Sequence, residues 1–169
     1  MIASMTAISF CGVVNAKEIN YQTTESLEYR ECYFYIMSGL SFGDEIDIKV
    51  KVTDGGNVDV LLMDSIDHNH FRTIFDNESG DIDCYIKEMH TKSVAILIDA
   101  PKDGDYYIVV DNSFVPDDGA QPTGPVNFTI DIKTNGGLSD TVCCAPLVMI
   151  LGILLLSVAA VCLVRLRKV

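Results

Sequence analysis

Asp54, Asn57 and Asp59 stand around the Gly55-Gly56 turn, and Asp99, Asp103, Asp105 and Asp111 follow further along the chain. These side chains offer the hard oxygen ligands that Ca²⁺ takes from loops. Their spacing fits no EF-hand, because no glutamate stands at the twelfth position, and the same residue types serve equally well as turn formers. A second group is Asp67-His68-Asn69-His70. On an extended chain, residues two apart project to the same side, as a Zn²⁺ site would need, with His90 as a third ligand. The competing reading is a polar surface loop with solvated histidines. Turn forming is the leading reading and no cofactor is expected, with Ca²⁺ at Asp54, Asn57 and Asp59 as the alternative.

Catalysis would need a nucleophile beside a base, a paired-carboxylate signature, a phosphate-binding loop or a redox Cys-x-x-Cys. None of these patterns occurs in the chain, so the expectation is a protein that is not an enzyme.

The elements that must position these groups follow from hydrophobic periodicity. Glu45-Ile46-Asp47-Ile48-Lys49-Val50-Lys51-Val52 alternates strictly between charged and aliphatic residues, and Val126-Asn127-Phe128-Thr129-Ile130-Asp131-Ile132-Lys133 repeats the pattern. Each predicts a strand with one buried and one wet face. Further β-rich runs lie at Tyr29–Met37, Val58–Met63, Ile82–Met89, Val94–Asp99 and Tyr106–Val110, with a short strand at Ile19–Thr23. Asp54-Gly55-Gly56-Asn57 and Ala100-Pro101-Lys102-Asp103-Gly104 supply turns. Seven or eight strands with no helical periodicity predict an all-β antiparallel two-sheet sandwich, jelly-roll-like. Pro116 to Pro125 reads as one long surface loop, a usual place for ligand contacts.

The ends of the chain carry a different signal. From Val142 to Val164 no residue is charged, and these 23 residues would form a helix of about 34 Å, enough for a hydrocarbon core of roughly 30 Å. Arg165, Arg167 and Lys168 follow, so the positive-inside bias predicts a cytoplasmic C-terminus. Residues 1–16 hold an apolar run and close with Val14-Asn15-Ala16, which reads as a signal peptide. The expected order is therefore a signal at 1–16, an exported domain at 17–133, a tether at 134–141, a span at 142–164 and a tail at 165–169.

The exported part carries all 24 acidic residues but only nine of the 12 basic ones. A surface with fifteen surplus negative charges disfavours nucleic acid and anionic lipid and suits cations or basic proteins. Cys32 and Cys84 are the two cysteines of this region, and in an exported protein they are expected to pair, although two buried free thiols are the alternative. Cys143 and Cys144 read as small apolar residues at the start of the membrane helix, with a link between two chains as the alternative. Asn77-Glu78-Ser79 and Asn127-Phe128-Thr129 are glycosylation sequons, making Asn77 and Asn127 candidate sites.

Read in order, Glu31-Cys32-Tyr33, the run Val52-Thr53-Asp54-Gly55-Gly56-Asn57-Val58-Asp59-Val60, Gly104-Asp105-Tyr106-Tyr107 with Asp111-Asn112-Ser113, and Val126-Asn127-Phe128-Thr129-Ile130 resemble a GOLD domain. That is the lumenal β-sandwich of the emp24-type cargo receptors. Ala100 to Tyr107 is also similar to bacterial pre-peptidase C-terminal domains. The resemblance implies a sandwich on a single-pass type I protein, and a role in vesicular trafficking in a eukaryotic endoplasmic reticulum or Golgi. The broader expectation is an exported, membrane-tethered binding module at the cell surface that contacts a protein, a glycan or a second copy of itself. A structural cell-envelope role is the further alternative.

Overall fold

A computed structural model describes residues 18–77, 79–136 and 143–148; the expected signal, most of the tether beyond 136, and residues 149–169 lie outside the described residues. The chain forms β1 (Ile19–Leu27), β2 (Glu31–Leu40), β3 (Glu45–Asp54), β4 (Val58–Asp64), α1 (Ser65–Asn77), β5 (Ile86–Thr91), β6 (Ser93–Asp99), β7 (Gly104–Asn112), β8 (Val126–Thr134) and β9 (Cys143–Val148). Two antiparallel sheets pack face to face, one in the order β1-β8-β3-β6 and the other β5-β4-β7-β2-β9.

The alternating strands behave as their patterns require. Ile46, Ile48, Val50 and Val52 of β3 and Val126, Phe128, Ile130 and Ile132 of β8 point into the space between the sheets. There they meet Tyr35 and Met37 of β2, Val58, Val60 and Leu62 of β4, and Tyr106, Ile108 and Val110 of β7. Strand β4 is buried along its whole length because both of its faces are covered. Leu61 and Met63, on its outer face, join Cys32, Val109, Phe71, Ile74, Phe75, Ile82 and Val115 in a second core.

That second core exists because of α1, a helix where the sequence reading expected none and a loop around His68 and His70. Its buried residues are His68, Phe71, Ile74 and Phe75, one stripe at helical spacing. Asp64 starts the helix: its Oδ1 accepts the backbone N–H of Ile66 at 2.7 Å and of Asp67 at 3.0 Å, a capping arrangement. Its Oδ2 accepts from Lys102 Nζ at 2.6 Å and from Tyr85 at 3.1 Å. Burial alone would raise this carboxyl, but the Lys102 ammonium and the N–H donors outweigh it and hold the pKa down at about 2.

Two more expectations change. The segment Ile82–Met89 begins as irregular chain, with Ile82 buried under the helix, and pairs as β5 only from Ile86. At the other end, Cys143–Val148, expected to open the membrane helix, form β9 against β2, from Ile36 opposite Cys143 to Glu31 opposite Val148. Among the described residues no helix is long and apolar enough to cross a membrane.

Candidate functional site

On the outer face of the five-stranded sheet, three polar side chains form a row across adjacent strands. Cys32 of β2 stands opposite Asp111 of β7, and Asp111 stands opposite Asp59 of β4. All three are fully buried. Directly opposite residues have Cβ atoms about 5 Å apart, so the two carboxyl groups are neighbours.

The cover over this row is the segment between β7 and β8. Expected as an exposed loop from Pro116 to Pro125, it instead folds back onto the sheet, and Val115, Pro116, Gly119, Ala120 and Pro122 are buried. Its anchor is Asp59: Oδ2 accepts the N–H of Ala120 at 2.7 Å, and Oδ1 accepts the N–H of His90 at 2.8 Å. Gly119 passes so close that a Cβ there would collide with Asp59 Oδ2 and lie 2.8 Å from the carbonyl of Pro116. His90 Nε2 lies 2.9 Å from the carbonyl of Asp118. Lys87 Nζ bridges Asp118 at 3.1 Å and Asp81 at 2.6 Å, and Asp117 accepts the N–H of Gly80 at 3.1 Å. The loop is thus stitched to β4, β5 and the chain that follows α1.

Asp111 is held differently. Its Oδ2 accepts from the Ser113 hydroxyl at 3.0 Å, while Oδ1 has no hydrogen-bond partner among the described residues. Burial pushes its pKa well above the usual carboxylate range; the Ser113 hydroxyl opposes this, and the nearby Asp59 adds to the rise. Burial also raises Asp59, against the two N–H donors that favour its charged form. Two such carboxyls cannot both ionise cheaply, and of the two Asp111, the more strongly raised and without backbone N–H donors to Oδ1, is the one that favours its protonated form. Cys32 beside them is raised well above a normal thiol, first by burial and then by Asp111, so it is a thiol and not a nucleophilic thiolate. Chemically, the row can store a proton and latch a loop. No substrate can reach it without the loop moving.

Of the residues singled out in the sequence, Cys32, Asp59 and Asp111 meet in this row and the others fall elsewhere. Asp54 and Asn57 are exposed at the β3–β4 turn, whereas Asp59 turns into the second core, so the expected Ca²⁺ set is not brought together. Asp103 and Asp105 act as turn formers: their Oδ1 atoms accept the N–H of Phe42 at 2.7 Å and of Gly39 at 2.9 Å. Among the described residues no group of three His, Cys, Asp or Glu side chains could hold a metal ion.

His68 and His70 lie on a helix, where two residues turn through about 200°, so they face opposite ways. His68 is buried, stacked on Tyr107 at 4.1 Å between ring centres and tilted against Phe34 at 4.9 Å, while His70 is exposed. Burial, with help from Arg72, lowers the His68 pKa to about 4.

The expected Cys32–Cys84 bridge is absent, and both thiols are free. Cys32 is on β2 and Cys84 leads into β5, with β7 and β4 between them. Three strand spacings come to roughly 14 Å, well beyond the span of a disulfide. Cys84 instead donates its thiol to the carbonyl of Ile86 at 3.0 Å, and burial raises its pKa to about 11. Asn77 is exposed at the end of α1, and Asn127 is half-buried on the outer face of β8.

A shallow groove of about 230 Å³ lies at the opposite end of the sandwich, lined by Glu18, Asn20, Glu45, Asp47, Lys133 and Asn135 among others. It is smaller than the roughly 300–1,000 Å³ usual for small-molecule sites.

The fold and the latched loop define a two-sheet antiparallel β-sandwich with a helix and loop laid over one outer face. No family model matches the chain, and no curated protein matches it. Among solved structures it is similar at 14% identity to a protein described as "Bacillus endospore appendages form a novel family of disulfide-linked pili". The match covers 79% of this chain and 100% of that one, with a TM-score of 0.34, a level of likeness that carries no argument about function.

Proposed function

We propose that the chain is a non-catalytic binding module, exported and held at a membrane by its C-terminal apolar run, that contacts a protein or glycan outside the membrane. The observation that carries this reading is the segregation of charge: all 24 acidic residues precede Thr141, none stands between Val142 and Val164, and Arg165, Arg167 and Lys168 follow. Such a pattern suits an acidic domain on one side of a bilayer and a basic flank on the other. The sandwich supports it, since both cores are filled by side chains and the polar outer face of the β1-β8-β3-β6 sheet remains open to contact. Full burial of every member supports reading the row as a latch for the loop.

Crosslinking in native membranes followed by pull-down of the full chain tests the reading. A specific protein or glycoprotein recovered through the sandwich is the expected result. Recovery of vesicle-coat or cargo proteins would move the assignment to a trafficking receptor, and recovery of the chain alone to a self-assembling envelope component.

A further inference from the structure

The six residues of β9 are claimed twice. As a strand they close the outer edge of β2; as part of the apolar run they complete a membrane span. With β9 docked, only Met149–Val164 remain uncharged beyond it, 16 residues or about 24 Å of helix, short of a hydrocarbon core of roughly 30 Å. With Cys143–Val148 included, the helix reaches the full thickness. Nor can the six residues enter lipid as an open strand, because backbone groups in a bilayer must be paired within a helix or a closed barrel.

The β2 edge cannot simply be left bare either. From Cys32 to Leu40 the strand holds no charged residue and no proline, and so lacks the devices that keep a free edge from pairing. Pro146 of β9 stands opposite Tyr33, a place a proline can take on an edge strand when its missing N–H faces away from the sheet. The same proline is well tolerated near the start of a helix.

We propose that in the membrane-inserted chain Cys143–Val148 leave β2 for the span, and that the vacated β2 edge pairs with the β2 edge of a second copy. This rests on the membrane-tethered reading above and names one partner for it. Copies confined to one bilayer meet at high effective concentration, and the antiparallel pairing restores the backbone bonds that β9 gave up. A two-fold axis normal to the sheet keeps inner faces with inner faces only if it passes through a residue. The regular part of β2 runs to Met37, before the shift between Met37 and Leu40, so the axis falls at Phe34. Glu31 then lies opposite Met37 and no like charges meet. The exchange also moves the point at which the chain leaves the domain. With β9 docked the chain leaves the sandwich beside Glu31, near the latched loop, whereas without it the chain leaves from Gly136 at the opposite end.

The test uses the full chain in phosphatidylcholine vesicles under mild oxidation. In a chain whose other cysteines are replaced by alanine, Ile36→Cys is paired with native Cys143, its β9 partner; with Cys143 also replaced, Phe34→Cys reports the two-fold. The expected result is no internal bond between position 36 and Cys143, and a disulfide-linked dimer through position 34. An internal bond to Cys143, or a Phe34→Cys chain that stays monomeric, would overturn the inference. Because Phe34 packs against His68, the mass of the unmodified chain in lipid nanodiscs is the second measurement, with a dimer expected and a monomer contradicting it. Failure of the tether itself is distinguishable: alkaline carbonate would then release the chain from the vesicles, whereas a retained chain with β9 docked defeats only this inference.

Discussion

Asp59 and Asp111 face each other directly across β4 and β7, both without solvent exposure, and each carboxyl is pushed above the usual range by that burial. Like charges directly opposite in a sheet are destabilising, so the pair makes the folded state prefer a proton that the unfolded chain would release. The latch over the second core is therefore a pH-dependent contact.

The sign follows from linkage. Both groups have folded pKa values above the unfolded one, so their contribution is fully present below about pH 4 and is lost as pH rises through the folded values. His68, lowered to about 4, acts the other way: protonating it in the unfolded chain removes stability as pH falls from about 6.5. Asp64, held at about 2, contributes stability above about pH 4 that is lost as pH falls through 2. Subtracting the melting profile of Asp111→Asn from that of the native chain isolates the pair. The difference should favour the native chain at pH 4 and reverse by pH 8. A difference that does not vary with pH would refute the raised carboxyl pair.

Gly119 has room for no side chain. Gly119→Ala would drive a methyl group into Asp59 and the Pro116 carbonyl, an overpacking that costs about 1–3 kcal/mol. The expected readout is a lower melting temperature together with faster amide exchange at Ala120, whose N–H is held by Asp59. An unchanged exchange rate would show that the loop is held by other contacts.

Melting with added Ca²⁺, with Zn²⁺ and with a chelator should give the same temperature in each case. A ligand that binds only the folded state must stabilise it, and neither Asp54, Asn57 and Asp59 nor His68, His70 and His90 are brought together to bind one. A rise of several degrees with either metal would contradict the described geometry.

Thiol reagents should leave Cys32 unmodified in the folded domain and label it on unfolding, since it is buried and held protonated. Cys84, half-buried and raised to about 11, should react slowly. Reduction should not change gel mobility attributable to these two residues; a shift that needs both cysteines would establish the bridge that their separation argues against.

Much of the fold was legible because one-sided burial writes itself as alternation, as in β3 and β8, and two-sided burial as an apolar run, as in Val60–Met63 of β4 and Tyr106–Val110 of β7. Helix α1 was hidden, because His68, Phe71, Ile74 and Phe75 are diluted by exposed polar residues on the other face, and histidine is a weak marker of burial. The site was half legible. Asp59 and Asp111 could be seen as charges inside apolar strands, which is itself a signal, but their pairing depends on the β4–β7 register, and no local pattern encodes it. The buried loop was misread because Pro, Gly and Asp mark turns without saying what the turn rests on. For Cys84, the count of cysteines suggested a partner that strand order then placed too far away.

The central claim is the membrane tether, and alkaline-carbonate extraction of membranes from cells making the full chain tests it most directly. The account predicts that the chain stays in the membrane pellet until detergent is added. Its release into the carbonate supernatant as a soluble protein would contradict the account.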